Sequence, residues 1–411
     1  MMTFQNKDLC KIRTITTFIS LDSNKSTWKE QILQASSLCA KLTNELHNEG
    51  YQVQTNRIVT NPFGEYLDTE NLETAQKDLG YLNDILTNID LGGIRIRFAI
   101  GEARTREEIA LVPELIKDFG DLCNVCVNVE MDQNGILDND LILSATQAVR
   151  KISTITPRGE GNFNFTVNFN CAPLIPYFPA SYHRGQSGNK FVIGLETPDL
   201  LVSVLSDSNL SNKATDHNER FNEYFQRLSQ ALQFHISAIQ NIVDTVEIDS
   251  DFEFSGFDSS AAPSKDCSSM ASVFEKMGVE YFGASGTLEA ASLLTRVFKS
   301  IQGSDLVGFS GLMLALTEDR GLAEGTKQQN YDIRALLTYS AVCGIGLDTV
   351  PIPGDTSIDK ISALMRDTGT MAFRLNKPLT VRLFPVPELK AGDITAFESD
   401  DLCNCAVLAV S

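Results

Sequence analysis

The sequence predicts a mixed α/β fold built on a mainly parallel sheet. Short β-branched segments alternate with longer amphipathic segments almost from end to end, which is typical of strands joined by crossover helices. Hydrophobic residues make up 43% of the 411 residues, so a large core can form without disulfides. No linker rich in charge or proline separates the two halves, and we therefore expect a single α/β barrel unit over residues 1–411. The segment Leu205–Thr215, dense in serine and asparagine, is the best candidate for a weak internal boundary.

The first half of the chain predicts five strands with helices between them. In the first predicted helix, Ile32, Leu38, Leu42 and Leu46 fall on one face, as an amphipathic helix requires. The predicted strands are Ile12–Ile19, Tyr51–Thr60, Gly93–Ile100, Leu122–Val129 and Phe163–Phe169, and the predicted helices are Lys29–Asn48, Asn71–Asn88, Arg106–Phe119 and Asp138–Ile152. A loop over Pro173–Gly188 follows, and loops of this length in compact folds commonly carry function.

The second half continues the alternation more tightly. Its predicted strands are Lys190–Leu195, Asp251–Phe257, a short one at Glu280–Phe282, Leu306–Leu316, Leu347–Val350 and Thr380–Phe384. Its predicted helices are Asp216–Val243, Asp266–Met277, Thr287–Lys299, Tyr331–Val342 and Ser357–Phe373. The total is roughly ten strands, more than the eight of the commonest α/β barrel.

Charge and cysteine content narrow the partners and the compartment. A net charge of −19 opposes attraction to phosphate backbones or anionic lipid, so neither nucleic acid nor membrane is an expected partner. The acidic residues are dispersed, which favours a solubilising surface over a cleft that attracts cations. Nine cysteines without zinc spacing predict reduced thiols, and with no segment of signal-peptide or membrane-spanning character they predict a cytoplasmic protein.

Polar residues after the predicted strands are the candidate site. Asp258 follows an apolar strand beside Ser260, and it would act as a general base or cation ligand, or else form an Asx turn before the next helix. Asp348 lies in an apolar setting that demands a partner or a cation, although it would also serve as an acceptor within a turn. His183 lies in the long loop and is the histidine best suited to acid/base chemistry.

Three glycine-rich or acidic segments add weaker candidates. Ser285, Gly286 and Thr287 precede a helix whose free N–H groups would hold a small anion, although Thr287 is equally a helix cap. Ser310 and Gly311 allow close approach of a ligand or tight packing of backbone. The pair Glu318 and Asp319 would bind a cation with Asp258, or be solvated acids.

Arg13 on the first strand and Arg57 on the second would converge on an anionic substrate, although a buried arginine paired with an acid gives the same pattern. The sequence lacks GxGxxG after the first strand, a Walker loop, a GxSxG elbow and HExxH, so no nucleotide cofactor is predicted. With only four histidines, a multi-histidine metal site is not expected.

The same segments resemble a known family of conserved prokaryotic proteins, the domain of unknown function 711 family. The match runs over nearly the whole chain and is strongest over residues 257–397. It rests on Ile12–Thr16, Val127–Val129, His183 with Gly185, Asp258 with Ser260 and Ala262–Pro263, Gly283, Gly286–Thr287, Gly308, Ser310–Gly311, Glu318–Asp319, Cys343, Gly346–Asp348, and Pro353 with Asp355–Thr356. The resemblance adds Asn128 to the predicted substrate-binding residues.

The resemblance implies a ten-stranded barrel similar to those of pyruvate formate-lyase and ribonucleotide reductase. The tail from Thr380 onward has no RVxG-type segment, so glycyl radical chemistry is not expected. The family usually has a histidine at Ser285 and a proline-containing stretch at Leu314–Leu316, so the pocket is expected to differ here.

Two functions follow as hypotheses. The first is a non-radical enzyme that acts on a small polar or anionic metabolite through acid/base groups of Asp258, His183 and Asp348, with or without a divalent cation. The second is a metabolite-binding or regulatory protein without turnover, which the loss of the family histidine at Ser285 favours. A homo-oligomer and a small ACT-type partner protein, the latter implied by the family resemblance, are the expected assemblies.

Overall fold

The computed structural model describes residues 3–89, 91–185, 188–207 and 216–411. Within them, ten strands form two five-stranded sheets. The strands are β1 (Lys11–Ile19), β2 (Asn56–Thr60), β3 (Ile96–Ala99), β4 (Gly101–Glu102), β5 (Val125–Val129), β6 (Phe165–Phe169), β7 (Asn189–Glu196), β8 (Phe252–Asp258), β9 (Gly346–Pro353) and β10 (Leu379–Val386). The predicted mixed α/β class is confirmed.

Each sheet is parallel except for one antiparallel pair in its centre. The first sheet has the order β3-β2-β1-β7-β8 and the second the order β4-β5-β6-β10-β9. The antiparallel pairs are β1 with β7 and β6 with β10, while the other neighbours run parallel. Lys11 at the start of β1 therefore lies opposite Glu196 at the end of β7. At one end of its strands, each sheet therefore carries the first residues of some strands beside the last residues of others.

Helices connect the strands and cover the sheets. Those in the described residues are α1 (Trp28–Asn48), α2 (Leu72–Thr87), α3 (Arg106–Phe119), α4 (Asn139–Ile155), α5 (Pro198–Leu205), α6 (His217–Thr245), α7 (Met270–Lys276), α8 (Thr287–Phe298), α9 (Arg320–Lys327), α10 (Ile333–Tyr339) and α11 (Ile358–Arg374). Helix α3 begins with a capping box, in which Thr105 and Glu108 satisfy each other's free N–H groups. No described helix is both long and apolar enough to cross a membrane.

The chain crosses between the sheets at both margins. Residues 96–102 leave the first sheet as β3 and enter the second as β4, turning at Gly101 with φ +80°. A side chain at Gly101 would meet the carbonyl oxygen of Thr60, so glycine is required there. At the opposite margin of the two sheets, Leu306 forms an isolated β-bridge with Phe257 of β8, and Ala315 forms another with Asp348 of β9.

Two predicted strands are wrong. Leu306–Leu316 makes only the two bridges above, because Gly308 and Ser310 have positive φ and turn the chain. The N–H groups of Phe309 and Ser310 donate to the Asp258 carboxylate instead of a neighbouring strand. Glu280–Phe282 forms bends and a turn ahead of Gly283, whose φ is +113°.

One apolar cluster spans both halves of the chain. It includes Ile12 on β1 and Leu408 near the carboxyl end, both buried. Residues 208–215 of the predicted internal boundary lie outside the described residues. The nine cysteines are free thiols in the structure.

Candidate functional site

A small cavity lies where the charged beginnings of β1 and β2 meet β9 and β10. The enclosed part of the cavity has a volume of about 40 Å³. With the space that leads to its open side the volume is about 470 Å³, so the cavity suits a ligand of few heavy atoms. Its polar lining consists of Arg13, Arg57, Thr166, Tyr177, Glu318, Asp348, Thr380 and Arg382. Its apolar lining consists of Phe178, Pro179, Ala180, Ala262, Pro263, Phe309, Met313, Ala315 and Ile345. We call it the arginine cavity.

The long loop before β7 supplies one wall of the arginine cavity. The carbonyl oxygen of Pro176 accepts hydrogen bonds from Thr16 Oγ1 at 3.1 Å and from Arg57 Nη1 at 3.2 Å. The Tyr177 hydroxyl accepts from the backbone N–H of Leu195, and its ring lies so close to Gly194 that any side chain there would collide with it. These contacts hold the loop against the first sheet, so its aromatic side chains face the arginines.

Arg57 is a buried cation without a counterion. Its side chain makes one hydrogen bond, to Pro176, and lies 4.7 Å from the centre of the Phe178 ring. Its Nε has no hydrogen-bond partner, and no carboxylate of the described residues lies within ion-pair distance of it. Burial, followed by the nearby charges of Arg13 and Arg97, lowers its pKa to about 9. A buried guanidinium with unused donors is suited to a ligand oxyanion.

A chain of ion pairs forms the opposite wall. Arg382 donates from Nε to Asp348 at 2.6 Å and from Nη2 to Glu318 at 2.6 Å. The other oxygen of Glu318 lies 3.9 Å from Arg13. Burial raises the pKa of Glu318, and the Asp348 charge adds to this, while Arg382 and Arg13 act against it. Glu318 is therefore a carboxyl group whose proton affinity depends on what enters the cavity.

A wider cavity adjoins the arginine cavity on its open side. The two share Arg13, Arg57, Phe178 and Glu318, and the wider one has an empty volume of about 920 Å³. It adds Arg97, which pairs in register with Arg57 across β2 and β3. Arg97 is ion-paired there with Asp401 at 3.6 Å, so the wider cavity is lined by charges of both signs.

Asp258 has a different setting from the one predicted for a catalytic group. Its carboxylate accepts from Phe309 N–H at 2.7 Å, from Ser310 N–H at 3.0 Å, and from the N–H and hydroxyl of Ser260. The Ser260 hydroxyl in turn accepts from Gly311 N–H. Burial raises the pKa of Asp258 to about 6 against the opposing effect of these donors. The Asx turn considered above is present, and the carboxylate fastens the turn that carries Phe309 into the arginine cavity.

The remaining predicted residues lie elsewhere. Asn128 accepts a hydrogen bond from Asn168 and lines neither cavity. Ser285 and Gly286 are exposed at the start of α8, where the Thr287 hydroxyl accepts from Gly283 N–H. None of these four predicted residues lines the arginine cavity.

The three predicted cation ligands do not form one group. Asp319 caps α9 through Gly321 and Leu322 and also accepts from Met270 N–H, so its oxygens serve two helix starts. Glu318 faces the arginine cavity, and Asp258 is enclosed by its four donors. Across the described parts of the chain, no set of three or more His, Cys, Asp or Glu side chains is arranged to hold a metal ion.

His183 is buried away from the arginine cavity. Its ring lies 6.1 Å from that of Phe18, which is five residues, or about 16 Å, along β1 from Arg13. Its Nε2 has no hydrogen-bond partner among the residues that the structure describes. Burial lowers the pKa of His183 to about 4, and Lys190 contributes in the same direction.

This depressed pKa predicts acid sensitivity. A histidine that must stay neutral in the folded state contributes stability above its unfolded pKa, and that contribution is lost as the pH falls toward about 4. We expect the wild type to lose about 2 kcal/mol of unfolding free energy between pH 7 and pH 4.5 through this group, as measured by urea titration. The variant His183→Gln should lack this part of the pH dependence. His47→Gln, in an exposed position on α1, is the control and should keep it.

Arg382 was not among the predicted site residues. The sequence nevertheless contains an indication of its role, because Arg382 is the only charged residue in the strand LTVRLFPV. A charged side chain buried in an apolar strand needs a partner, which here is the pair Asp348 and Glu318. Tyr177 and Phe178 lie within the loop predicted to be functional, but the sequence did not indicate where their side chains point.

Comparison with known proteins places the chain in a family. A family model with the description Uncharacterised ACR (DUF711) matches residues 2–399. The chain belongs to the DUF711 family. A UPF0210 protein of Acetivibrio thermocellus is 26% identical over 420 residues, covering 94% of this chain and 88% of that protein. A UPF0210 protein of Pyrobaculum arsenaticum is 30% identical over 253 residues, covering 60% and 54%. The resemblance inferred from the motifs is thereby confirmed for this DUF711 protein.

Among solved structures, this DUF711 protein aligns with the anaerobic ribonucleotide reductase of Thermotoga maritima, determined with citrate in its active site. The TM-score is 0.33 and the identity 8%, over 90% of this chain and 80% of that one. An alignment at this level supports no statement about the chemistry of this protein. The function is therefore argued from the arginine cavity itself.

Proposed function

We propose that this protein is a non-radical enzyme that binds a small anionic metabolite in the arginine cavity and acts on it by acid/base chemistry. The observation that carries the proposal is the buried guanidinium of Arg57, which has no carboxylate partner in the described residues and faces a cavity. Three arginines and two carboxylates line that cavity, and Arg13 is also ion-paired with the buried Glu196 at 3.8 Å. Of the three arginines, Arg57 is the one with no carboxylate of the described residues within ion-pair distance. A ligand anion supplies the missing counterion.

Glu318 is the acid/base group in this proposal. It faces the arginine cavity, and burial raises its pKa above that of an ordinary carboxyl group, which is the direction that a general acid or base requires. Arg382 and Arg13 hold its two oxygens from opposite sides. A ligand anion bound beside it on Arg57 and Arg13 would weaken their pull on the carboxylate and raise its proton affinity further. Asp258 is assigned a positioning role, since its oxygens are already occupied.

The proposal includes closure of the two sheets into one barrel around the arginine cavity. In support, residues 96–102 continue from one sheet into the other, and residues 306–315 bridge β8 to β9. The cavity takes side chains from both sheets, with Arg13 and Arg57 from the first and Asp348 and Arg382 from the second. A barrel of this kind encloses a small ligand between its two halves.

Arg57→Met tests the binding site. Because an unpaired buried cation is costly, the variant should be as stable as the wild type or more stable, within about 1 kcal/mol by urea unfolding. The same change should abolish the thermal stabilisation that small carboxylates or inorganic phosphate give the wild type at millimolar concentration. Arg95→Met, at an exposed arginine of the wider cavity, is the matched control and should retain most of the stabilisation.

Glu318→Gln separates an enzyme from a binding protein. An anion that stabilises the wild type would be incubated with each protein, and its conversion followed by proton NMR in deuterated and ordinary water. We expect turnover or deuterium exchange with the wild type and a loss of about 100-fold or more in Glu318→Gln, with binding retained. Binding without any conversion by the wild type would instead favour the non-catalytic, regulatory function.

A further inference from the structure

The arginine cavity contains a second buried polar atom without a partner, and its chemistry is opposite to that of Arg57. Asp348 accepts from Arg382 through Oδ1, while its Oδ2 has no hydrogen-bond partner. Its side chain is 3% exposed, and it lines the same cavity as Arg57. Buried polar atoms of folded proteins are nearly always hydrogen-bonded, so each unpartnered one calls for an explanation.

The two atoms require different groups from one ligand. Arg57 Nε is a donor and needs an acceptor, for which an oxyanion is best suited. Asp348 Oδ2 is an acceptor and needs an O–H or N–H donor. The same cavity is also lined by Pro179, Ala262 and Met313, whose apolar surfaces suit a short carbon skeleton. The space is enough for only a few heavy atoms.

We infer that the ligand is a small hydroxycarboxylic acid, whose carboxylate pairs with Arg57 and whose hydroxyl donates to Asp348 Oδ2. This inference rests on the proposed function and names its substrate class. The existing ion pairs favour the hydroxyl over an ammonium group. Asp348 already has the Arg382 cation as its partner, so its free Oδ2 needs a donor but not a second cation, and an ammonium group there would lie beside the Arg382 guanidinium.

Matched ligands on the wild-type protein test the inference directly. Propionate, both enantiomers of lactate, and both enantiomers of alanine share a three-carbon skeleton and differ in the group at the second carbon. Dissociation constants from calorimetry or ligand-observed NMR should show one lactate enantiomer at least about tenfold tighter than propionate and tighter than either alanine. Equal affinity of lactate and propionate overturns the inference, as does tightest binding by alanine.

Two variants distinguish failure of the inference from failure of the proposed function. Asp348→Asn should reduce the lactate preference to less than about threefold while propionate binding is retained, because the change removes the charged acceptor and leaves Arg57 in place. Arg57→Met should weaken every acid. If no acid binds the wild type, the proposed function fails together with the inference. If all acids bind equally and only Arg57→Met weakens them, the anion site stands and the hydroxyacid assignment falls.

Folding of Asp348→Asn is checked by its affinity for propionate, which a misfolded protein would lose. If this variant does not fold, the ligand series on the wild type decides by itself, since it needs no substitution.

Discussion

Replacing Arg382 with methionine is expected to lower the free energy of unfolding by about 3–5 kcal/mol, because the change leaves two buried carboxylates without the cation that pairs with both of them. Arg382 donates to Asp348 and Glu318, each at 2.6 Å, and its own side chain is 5% exposed. Methionine fills most of the same volume, so lost charge pairing rather than a cavity should dominate. Urea unfolding at neutral pH measures the difference from the wild type.

The pH dependence of this variant gives a second check. Without Arg382, the pKa of Glu318, which burial already raises, rises further in the folded state, and a group with a raised folded pKa is best tolerated at low pH. The deficit against the wild type should therefore shrink as the pH falls from about 8 to about 5. Arg57→Met is the matched control, since it removes a buried arginine that has no carboxylate partner. If the two variants were equally destabilised, the ion pairs would not be the cause.

Replacing Asp258 with alanine is expected to lower the free energy of unfolding by about 3 kcal/mol, because the backbone N–H groups of Phe309, Ser310 and Ser260 would be left buried without an acceptor. Burial of the charge, which raises the pKa of Asp258 to about 6, offsets part of the stabilisation these bonds give. Asp258→Asn should also destabilise, since one oxygen becomes a donor and faces an N–H group.

Two further variants calibrate the Asp258 result. Ser260→Ala removes one hydroxyl from the same network and should cost only about 1 kcal/mol. Asp355→Ala, at an exposed turn, should change stability by less than about 0.5 kcal/mol. If Asp258→Ala were as mild as Asp355→Ala while anion binding disappeared, Asp258 would have to be a ligand-contacting group rather than a positioning one.

Part of the site was predictable because a charged side chain within an apolar strand needs a partner or a ligand. The sequence places Arg13 on the first predicted strand and Arg57 on the second, and both line the arginine cavity. Their heights along the strands were not predictable, since Arg57 lies near the end of the predicted strand Tyr51–Thr60 but is the second residue of β2, opposite Thr16 of β1. What the residues themselves left open was whether an acid pairs with Arg57, and the structure shows none within ion-pair distance in the described residues.

Other predictions depended on where a side chain points in the folded protein, and the local sequence does not specify this. His183 in the long loop and Asp348 in an apolar setting were both predicted acid/base groups, yet His183 packs against Phe18 while Asp348 faces Arg382. Asp258 follows a strand in the manner of an active-site residue, but the N–H groups that occupy it come from residues about fifty positions later. No local pattern indicates which distant backbone will approach a carboxylate.

The sequence by itself determined the alternation of strands and helices and the family, because the first depends on hydrophobic period and the second on motif order. Only the tertiary structure decided which acids face which arginines. Glu318, Asp348 and Arg382 belong to three separate segments, and they meet because β9 and β10 pair in parallel with a shift in register between Val381 and Leu383. Such pairing is set by the packing of whole sheets, since a strand's own residues fix its face but not its neighbour.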